Sequence, residues 1–571
     1  MKKNHLFDNI SAAQTEEELK FHFVKFFDLP IHTKNRVDLY TEQILFEFKL
    51  NSNLKNIQTR AEVIAQALYY VHRLNFGDDD RSPSENVCIV TKNFAAIFPT
   101  ADFAVSTLIK DEADYCANIF PDATVFQFDY LNDATDKLPK KLRDDLNNPN
   151  IKWIIFINPP YATANNNQDR NLFNKDKISM TSIRKLMTEE NLGEVSRELF
   201  SQFIYRISKD FSNRQSLLGI FSTPKYINST NDQKFRDKIF RYKFERGFIL
   251  HSKNFEGCKG NFSVSFMIWN LSEKISFEEQ KISLDVYDSE VEKVGEKIFK
   301  PARREEFLSK WIERKPAINK FPPLSGALNV AYKNKDRRDR ISDGFLASLV
   351  VKGNEFSNQT YVSILSAPYV SAGAFSITAE NFEQAMIVHM VRRLPKATWL
   401  NDRDQFLQPT KPLPREFITD AVIWSLFAPS NQTASLRDVE YEGEVYQIRN
   451  NFYPFALSEL KSWECTSPTI RMRIFTATED RFAAKWIKNN RAALSTEARA
   501  VLNAGREIYK RFYAELIRLD VRKWKIADWD AGWYQIRMSL DATIDLSALK
   551  EKLLPQIYEL GFLRDEVIEF T

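Results

Sequence analysis

Glycine is scarce in this chain, 15 in 571 residues, and where it is missing matters more than how little there is. Gly77 and Gly193 are successive glycines, so the whole stretch from Asn86 to Asn158 has none. A glycine-rich loop after a first strand, where absent Cβ atoms let the backbone approach a cofactor, is therefore not found there. Four cysteines, Cys88, Cys116, Cys258 and Cys465, are too scattered for a zinc motif or a disulfide framework, which points to a reducing, cytoplasmic setting. The six histidines, His72, His251 and His389 among them, show no ligand spacing. No apolar run approaches the ~18–20 residues needed to cross a bilayer, and Met1-Lys2-Lys3-Asn4-His5 lacks a signal-peptide core, so no membrane association is expected. Charge of one sign is also lacking: 80 Lys+Arg against 76 Asp+Glu leaves +4. Nucleic-acid binding then needs clustered charge, which the sequence offers at Arg303-Arg304, Lys333 to Arg338, Arg392-Arg393 and Lys510-Arg511.

What is present is a composition of globular type, 43% hydrophobic and 27% charged, long enough for three or four domains. Residues 1–75 alternate helix, hairpin and helix, and Gly77 to Pro83 is a polar turn that breaks the pattern. From 86 to 275 short apolar strands alternate with amphipathic helices, the pattern of a parallel α/β sheet. The strand candidates are Val87–Val90, Val125–Phe128, Trp153–Ile157, Leu217–Phe221, Phe248–Leu250 and Ser263–Trp269. Residues 300–480 mix turns, short strands and exposed-type aromatics, Tyr361, Tyr369, Trp399 and Phe406, with many Arg, Asn and Gln able to read base edges. Helices return at the end, one capped by Ser495 and running to about Leu519, another from Leu546 to Leu560.

The most informative stretch is Asn158-Pro159-Pro160-Tyr161, placed directly after the apolar run Trp153 to Ile157 and so at the end of a buried, central strand. Two prolines fix φ and lack N–H donors, which holds the Asn158 side chain and the carbonyls of Asn158 and Pro159 as acceptors for an exocyclic amine. Tyr161 offers a flat face for an extruded base, a contact worth roughly 1–3 kcal/mol. A long polar loop holding Asn165 to Arg170 follows, and loops of this length are usually functional or disordered.

This motif resembles the catalytic motif of adenine-N6 DNA methyltransferases of the large restriction-modification kind. Phe126 to Asp133 resembles the family's acidic strand end, with Asp129, and Ser106-Thr107-Leu108 followed by Asp111 and Glu112 is similar to the stretch that carries an acid for the cofactor ribose. Gln202 to Arg206, Phe255-Glu256-Gly257, the strand Phe262 to Trp269, Trp399 to Leu407 and Ala504-Gly505-Arg506-Glu507 extend the likeness over residues 100–571. The resemblance implies an adenine stacked between Tyr161 and Phe255, with Asn158, Pro159 and Pro160 completing the catalytic set. It implies S-adenosyl-L-methionine near Asp111, Glu112 and Asp129, although the missing glycines lead to an expectation of weak or absent binding by this chain alone.

A second chemistry stands upstream. Val37 to Tyr40 and Ile44 to Leu50 read as a hairpin, and Glu47 and Lys49 alternate with apolar residues, so they face one side. Asp38 and Glu47 can hold Mg²⁺ through oxygen, and Lys49 with the metal can polarise a phosphate. With Gln66 and Tyr70 one turn apart on a following helix, Lys55 to Leu74, the order resembles the PD-(D/E)XK nuclease superfamily, and Glu18 would be an accessory acid.

The expected fold class is therefore α/β: a nuclease-like α/β domain over residues 1–104, a Rossmann-like methyltransferase core over 105–282, a mixed α+β target-recognition region over 283–480 and a helical region over 481–571. The expected function is site-specific adenine-N6 methylation of double-stranded DNA, with a partner subunit or a homo-oligomer left open. The alternatives are a Mg²⁺-dependent restriction endonuclease and a DNA-binding protein with a cofactor-deficient methylase core.

Overall fold

The computed structural model describes residues 9–29, 39–40, 44–50, 63, 86–91, 95–99, 126–159, 180–211, 214–255, 260–314, 342–367, 373–441, 443–519, 526 and 528–564. Asp38, Gln66, Tyr70, Asp111, Glu112, Pro160, Tyr161, Tyr369, the loop at 165–170 and the cluster at 333–338 lie outside the described residues. The chain is mixed α/β and divides into two units, one of Met1–Ile151, Ala162–Glu190 and Ser196–Arg206, the other of Lys152–Tyr161, Asn191–Val195 and Ile207–Thr571.

In the first unit, helix α1 (Glu16–Phe27) starts where Thr15 Oγ accepts the Glu18 N–H at 3.1 Å and Glu18 Oε2 accepts the Gln14 N–H at 2.7 Å. That reciprocal cap places three acids at the positive end of the helix. It also ties down Glu18, the expected accessory acid. The hairpin forms as expected, with β1 (Leu39–Tyr40) antiparallel to β2 (Ile44–Lys49). Then β2 runs parallel to β3 (Asn86–Thr91), and β4 (Ala95–Pro99) returns antiparallel, giving the order β1-β2-β3-β4. Phe23 of α1 meets Phe46 and Phe48 edge-on at 5.6 and 5.5 Å, and Leu19, Val24, Cys88 and Val90 complete that core.

The strand candidate Val87–Val90, expected in the parallel sheet of residues 86–275, lies instead between β2 and β4 as the central β3 of this sheet. Val87, Cys88, Ile89 and Val90 are buried because β3 has a neighbour on each side and β-branched residues suit that position. Phe126–Asp129, expected to end a strand, enters no ladder. It is tied instead to helix α3 (Leu199–Phe211), which follows α2 (Ser182–Glu189): Arg206 donates to the carbonyls of Tyr130 and Asp133 at 2.6 and 2.7 Å while lying over the rings of Tyr130 and Phe128.

The second unit holds a six-stranded sheet in the order β10-β9-β7-β8-β6-β5, from β5 (Trp153–Ile157), β6 (Ser216–Ser222), β7 (Tyr242–His251), β8 (Ser263–Lys274), β9 (Ile282–Tyr287) and β10 (Lys293–Phe299). It is mixed rather than parallel: β5, β6, β7 and β9 share a direction, and β8 and β10 oppose it. Beyond it, β11 (Ala347–Val351), β12 (Val362–Leu365), β13 (Ala374–Ile377) and β14 (Asn431–Gln432) form a second sheet in the order β13-β11-β12-β14. Helices α4 (Phe382–Arg393), α5 (Arg415–Phe427), α6 (Thr496–Glu515) and α7 (Ser547–Glu559) share one large core with it. Both carboxyl-terminal helices read from the sequence are present, α6 with Ser495 Oγ accepting the Ala498 N–H at 3.0 Å. Gly505 lies where α6 crosses α5, and a Cβ there would collide with the Phe427 ring.

Two expectations for the recognition region fail for one reason, tertiary burial. Phe406 is fully buried, stacked under the Arg392 guanidinium at 4.9 Å. Arg392 is not a phosphate-reading surface residue, because it is buried and donates to the carbonyls of Lys352, Gly353 and Glu355. Tyr361 is exposed as expected, with Lys352 Nζ 4.6 Å from its ring centre, and Trp399 is half-buried. No helix among the described residues is long and apolar enough to cross a membrane.

Candidate functional site

The six-stranded sheet brings the carboxyl ends of β5, β6 and β7 to one edge. Ile157 pairs with Ile220, while Ser222 and Ile249 both pair with Ser265 of the intervening antiparallel β8. The carboxyl edge of parallel strands is where α/β sheets receive ligands, because the chain turns away there and leaves a crevice. Asn158 and Pro159 leave the end of β5 at this edge, Asn158 exposed and Pro159 buried. Phe255 arrives from the end of β7 through the short turn Ser252–Asn254 and is half-buried.

Aromatic rings link the two. Phe156, two residues before Asn158, lies 6.2 Å from Phe221, and Phe221 meets the Phe255 ring edge-on at 6.0 Å. Phe266 sits against Phe156 at 5.5 Å and against Phe221 at 4.8 Å, and Phe248 against Phe266 at 5.5 Å. Gly219 makes this floor possible: a Cβ there would stand 2.8 Å from the Phe266 ring, with the Phe156 ring at 3.6 Å. Phe156, Phe221, Phe248 and Phe266 were missed as site residues. Their period-two spacing (Gly219/Phe221, Phe266/Ile268) was the available signal, since alternation puts them on one face.

The strand itself departs from expectation. Among the described residues β5 pairs on one side only, with β6. Its outward residues Ile154 and Phe156 are 82% and 67% exposed, and only the alternate residues are covered.

The acids named for the cofactor fare differently. Asp129 is exposed and closes its own turn: Oδ1 accepts the N–H groups of Leu131 and Asn132 at 3.0 and 3.1 Å, and Oδ2 accepts Asn132 Nδ2 at 2.7 Å. Of the three acids expected near S-adenosyl-L-methionine, only Asp129 is among the described residues. The glycine-free β3 belongs to the amino-terminal sheet, β5 lies in the other sheet, and the Asp129 oxygens are engaged.

In the first unit, Glu47 and Lys49 stand together on β2 as their alternation requires, Lys49 Nζ 2.8 Å from Glu47 Oε1. Glu47 is 0% exposed, and Lys49 is 16% exposed. Burying a carboxylate next to one lysine costs several kcal/mol of desolvation, a cost that active sites bear and structural strands rarely do. Among the described residues no group of three or more His, Cys, Asp or Glu could hold a metal ion, so a Mg²⁺ site would need Asp38 beside Glu47.

The remaining segment flagged by resemblance, Trp399 to Leu407, is stitched to the β7–β8 corner. Trp399 lies 5.2 Å from the His251 ring, and Ser263 Oγ donates to Asp402 Oδ1 at 3.0 Å. Burial drives the Asp402 carboxyl up to about 6 against the opposing pull of Arg403 and Ser263. Asp404 bonds Lys297 Nζ at 2.5 Å.

No protein-family model matches the chain, and no curated protein matches it. Among solved structures it is similar to a DrdV–DNA complex, at 14% identity and TM-score 0.22 over 45% of this chain and 28% of that one. It is similar to a nuclease-deletion mutant of the Type ISP restriction-modification enzyme LlaGI in complex with a DNA substrate mimic, at 13% identity and TM-score 0.20 over 50% and 23%. A third is the ATP-dependent Type ISP restriction-modification enzyme LlaBIII bound to DNA, at 14% identity and TM-score 0.18 over 50% and 19%. The chain spans less than a third of each of those proteins, and likenesses this slight decide nothing about function.

Proposed function

We propose that this chain is the DNA-engaging, adenine-holding part of an adenine-N6 DNA methyltransferase of the restriction-modification kind. The observation that carries the reading is the position of Asn158-Pro159 at the carboxyl edge of three parallel strands, with Phe255 reaching the same edge over a floor of phenylalanines. In this reading double-stranded DNA gives up one base to the crevice. The Asn158 side-chain Oδ1 and the Pro159 main-chain carbonyl accept the two N6 hydrogens, and Phe255 covers one face of the purine. Tyr161, by the resemblance, covers the other.

The test is calorimetry of the full chain with 2′-deoxyadenosine and with purine 2′-deoxyriboside, which lacks the amine. Wild type should prefer deoxyadenosine about ten-fold, Asn158→Ala should erase that preference, and Phe255→Leu should weaken both alike. Equal binding of the two nucleosides by wild type, or no binding, overturns the reading. S-adenosyl-L-methionine should bind this chain alone weakly or not at all.

The buried Glu47–Lys49 pair favours a second activity, Mg²⁺-dependent DNA cleavage by the amino-terminal segment. Glu47 and Asp38 would hold the metal, which would supply a polarised phosphate and an activated water, while Lys49 neutralises the phosphate. Lys49→Ala should abolish cleavage of plasmid DNA with Mg²⁺ while leaving DNA affinity nearly unchanged. Unaltered cutting by that variant, or no cutting by wild type, rules it out.

A further inference from the structure

His251 ends β7 and caps the turn that delivers Phe255. Its Nδ1 accepts the Lys253 N–H at 2.9 Å, and its Nε2 faces Asn261 Oδ1 at 2.8 Å. A carboxamide oxygen only accepts, so Nε2 carries the proton and Nδ1 keeps its lone pair, and both partners select one tautomer. The Trp399 ring packs against the imidazole at 5.2 Å, tilted by 60°. Below it, Ser252 is buried, its N–H donating to Phe262 O at 2.9 Å and its Oγ to Gly260 O at 2.7 Å. Phe255 N–H then closes the turn on Ser252 O at 3.0 Å, and its ring lands on Phe221.

We propose that His251 is a positioning residue for the Phe255 face of the adenine seat, an inference that rests on the base-holding reading above. The Lys253 N–H is an orphan of the turn and needs a side-chain acceptor two residues back, a task ordinarily given to Asn, Asp or Ser. Here an imidazole does it, wedged between Trp399 and Asn261 so that the turn's direction, and with it the plane of Phe255, is fixed from outside the turn. Removing the acceptor leaves the N–H to water and lets Phe255 sample other directions.

The experiment uses the full chain and 2-aminopurine 2′-deoxynucleoside, which lacks the N6 amine and is therefore titrated to about ten-fold higher concentration than deoxyadenosine to reach saturation, and whose fluorescence is quenched when it stacks on an aromatic ring. His251→Phe keeps a ring against Trp399 but has no acceptor, and it should bind about five-fold more weakly with a smaller quench at saturation. His251→Asn restores an acceptor and should stay within two-fold of wild type. If His251→Phe does not fold, His251→Ala carries the same expectation. A residue that only stabilises the fold would shift the melting temperature of both variants and leave the saturating quench unchanged. Quenching by His251→Phe equal to wild type, or His251→Asn as poor as His251→Phe, overturns the inference. If wild type does not quench the probe, or quenches it regardless of Phe255→Leu, the base-holding reading falls and this inference with it. Quenching that needs Phe255 but not His251 overturns this inference alone.

Discussion

Lys297→Met is the perturbation whose consequence the structure defines most sharply. Lys297 is 0% exposed on β10, and its Nζ lies 2.5 Å from Asp404 Oδ2, itself 18% exposed. Burial pushes the Asp404 carboxyl up and the lysine pulls it back. Methionine keeps the hydrocarbon stem and deletes the charge. Cutting one partner from a buried pair typically costs 3–5 kcal/mol because the other charge stays behind unpaired, and the partial exposure of Asp404 puts the expected loss at the low end, about 3 kcal/mol. Against a domain stability of about 5–15 kcal/mol that is a large fraction. Urea unfolding followed by tryptophan fluorescence at pH 7 should show it as a lower midpoint with an unchanged slope.

The pair of charges, not the lysine as such, is the cause, and this gives the refutation. Lys297→Met with Asp404→Asn removes both charges and should recover to within about 1 kcal/mol of wild type. The sign with pH follows. A carboxyl whose folded pKa is raised costs stability as pH rises from its unfolded value through the folded one, so the single variant should regain stability on acidification through the window above 3.8, more than wild type does. A single variant within 1 kcal/mol of wild type, or a double variant no better than the single, refutes the reasoning.

Three further outcomes are expected. His389 is fully buried between Ser425 Oγ and Ser430 Oγ, each at 2.9 Å, and burial drives its imidazole down to about 3. Its contribution is fully present above the unfolded value near 6.5 and is lost as pH falls toward 3, so wild type should lose about 2 kcal/mol relative to His389→Leu between pH 6.5 and 5. Parallel stability–pH profiles would show that idea to be wrong. Gly219→Ala drives a methyl to 2.8 Å from the Phe266 ring, which Phe221 and Phe248 hold in place, and should cost about 1–3 kcal/mol and weaken deoxyadenosine binding; a neutral substitution would mean the ring floor is loose. Ser495→Ala removes the acceptor at the start of α6 and should cost about 1 kcal/mol by urea titration, with Ser495→Thr, which keeps the hydroxyl, close to wild type; equal losses in both would assign the effect to something other than the cap.

How much of this was legible in the sequence depends on how local the determining physics is. The Glu47–Lys49 pair, the Ser495 cap and the strands at Trp153–Ile157 and Ser263–Trp269 were readable because alternation and capping act over two to four residues. Partner choice is not local. The run Asn86–Thr91 is apolar enough for the middle of any sheet, and nothing within it says that Ile44–Lys49 rather than Trp153–Ile157 lies alongside. Arg392 and Phe406 failed likewise: each was read as surface, yet each completes the other's burial.

The same distinction explains the candidate site. The carboxyl edge of β5 was legible because prolines after an apolar strand end it wherever it is placed. The ring floor was not, because it needs β6 and β8 beside β5 and a glycine at the crossing of two phenylalanines, facts of register and not of composition. One consequence separates the two halves of the proposed chemistry. The adenine seat depends on strands that the second unit supplies for itself, whereas a cofactor seat would require a glycine-bearing loop that residues 78–192 do not contain. Base holding should therefore survive in a chain that does not bind S-adenosyl-L-methionine, so the nucleoside titration can succeed where a methylation assay of this chain alone gives no signal.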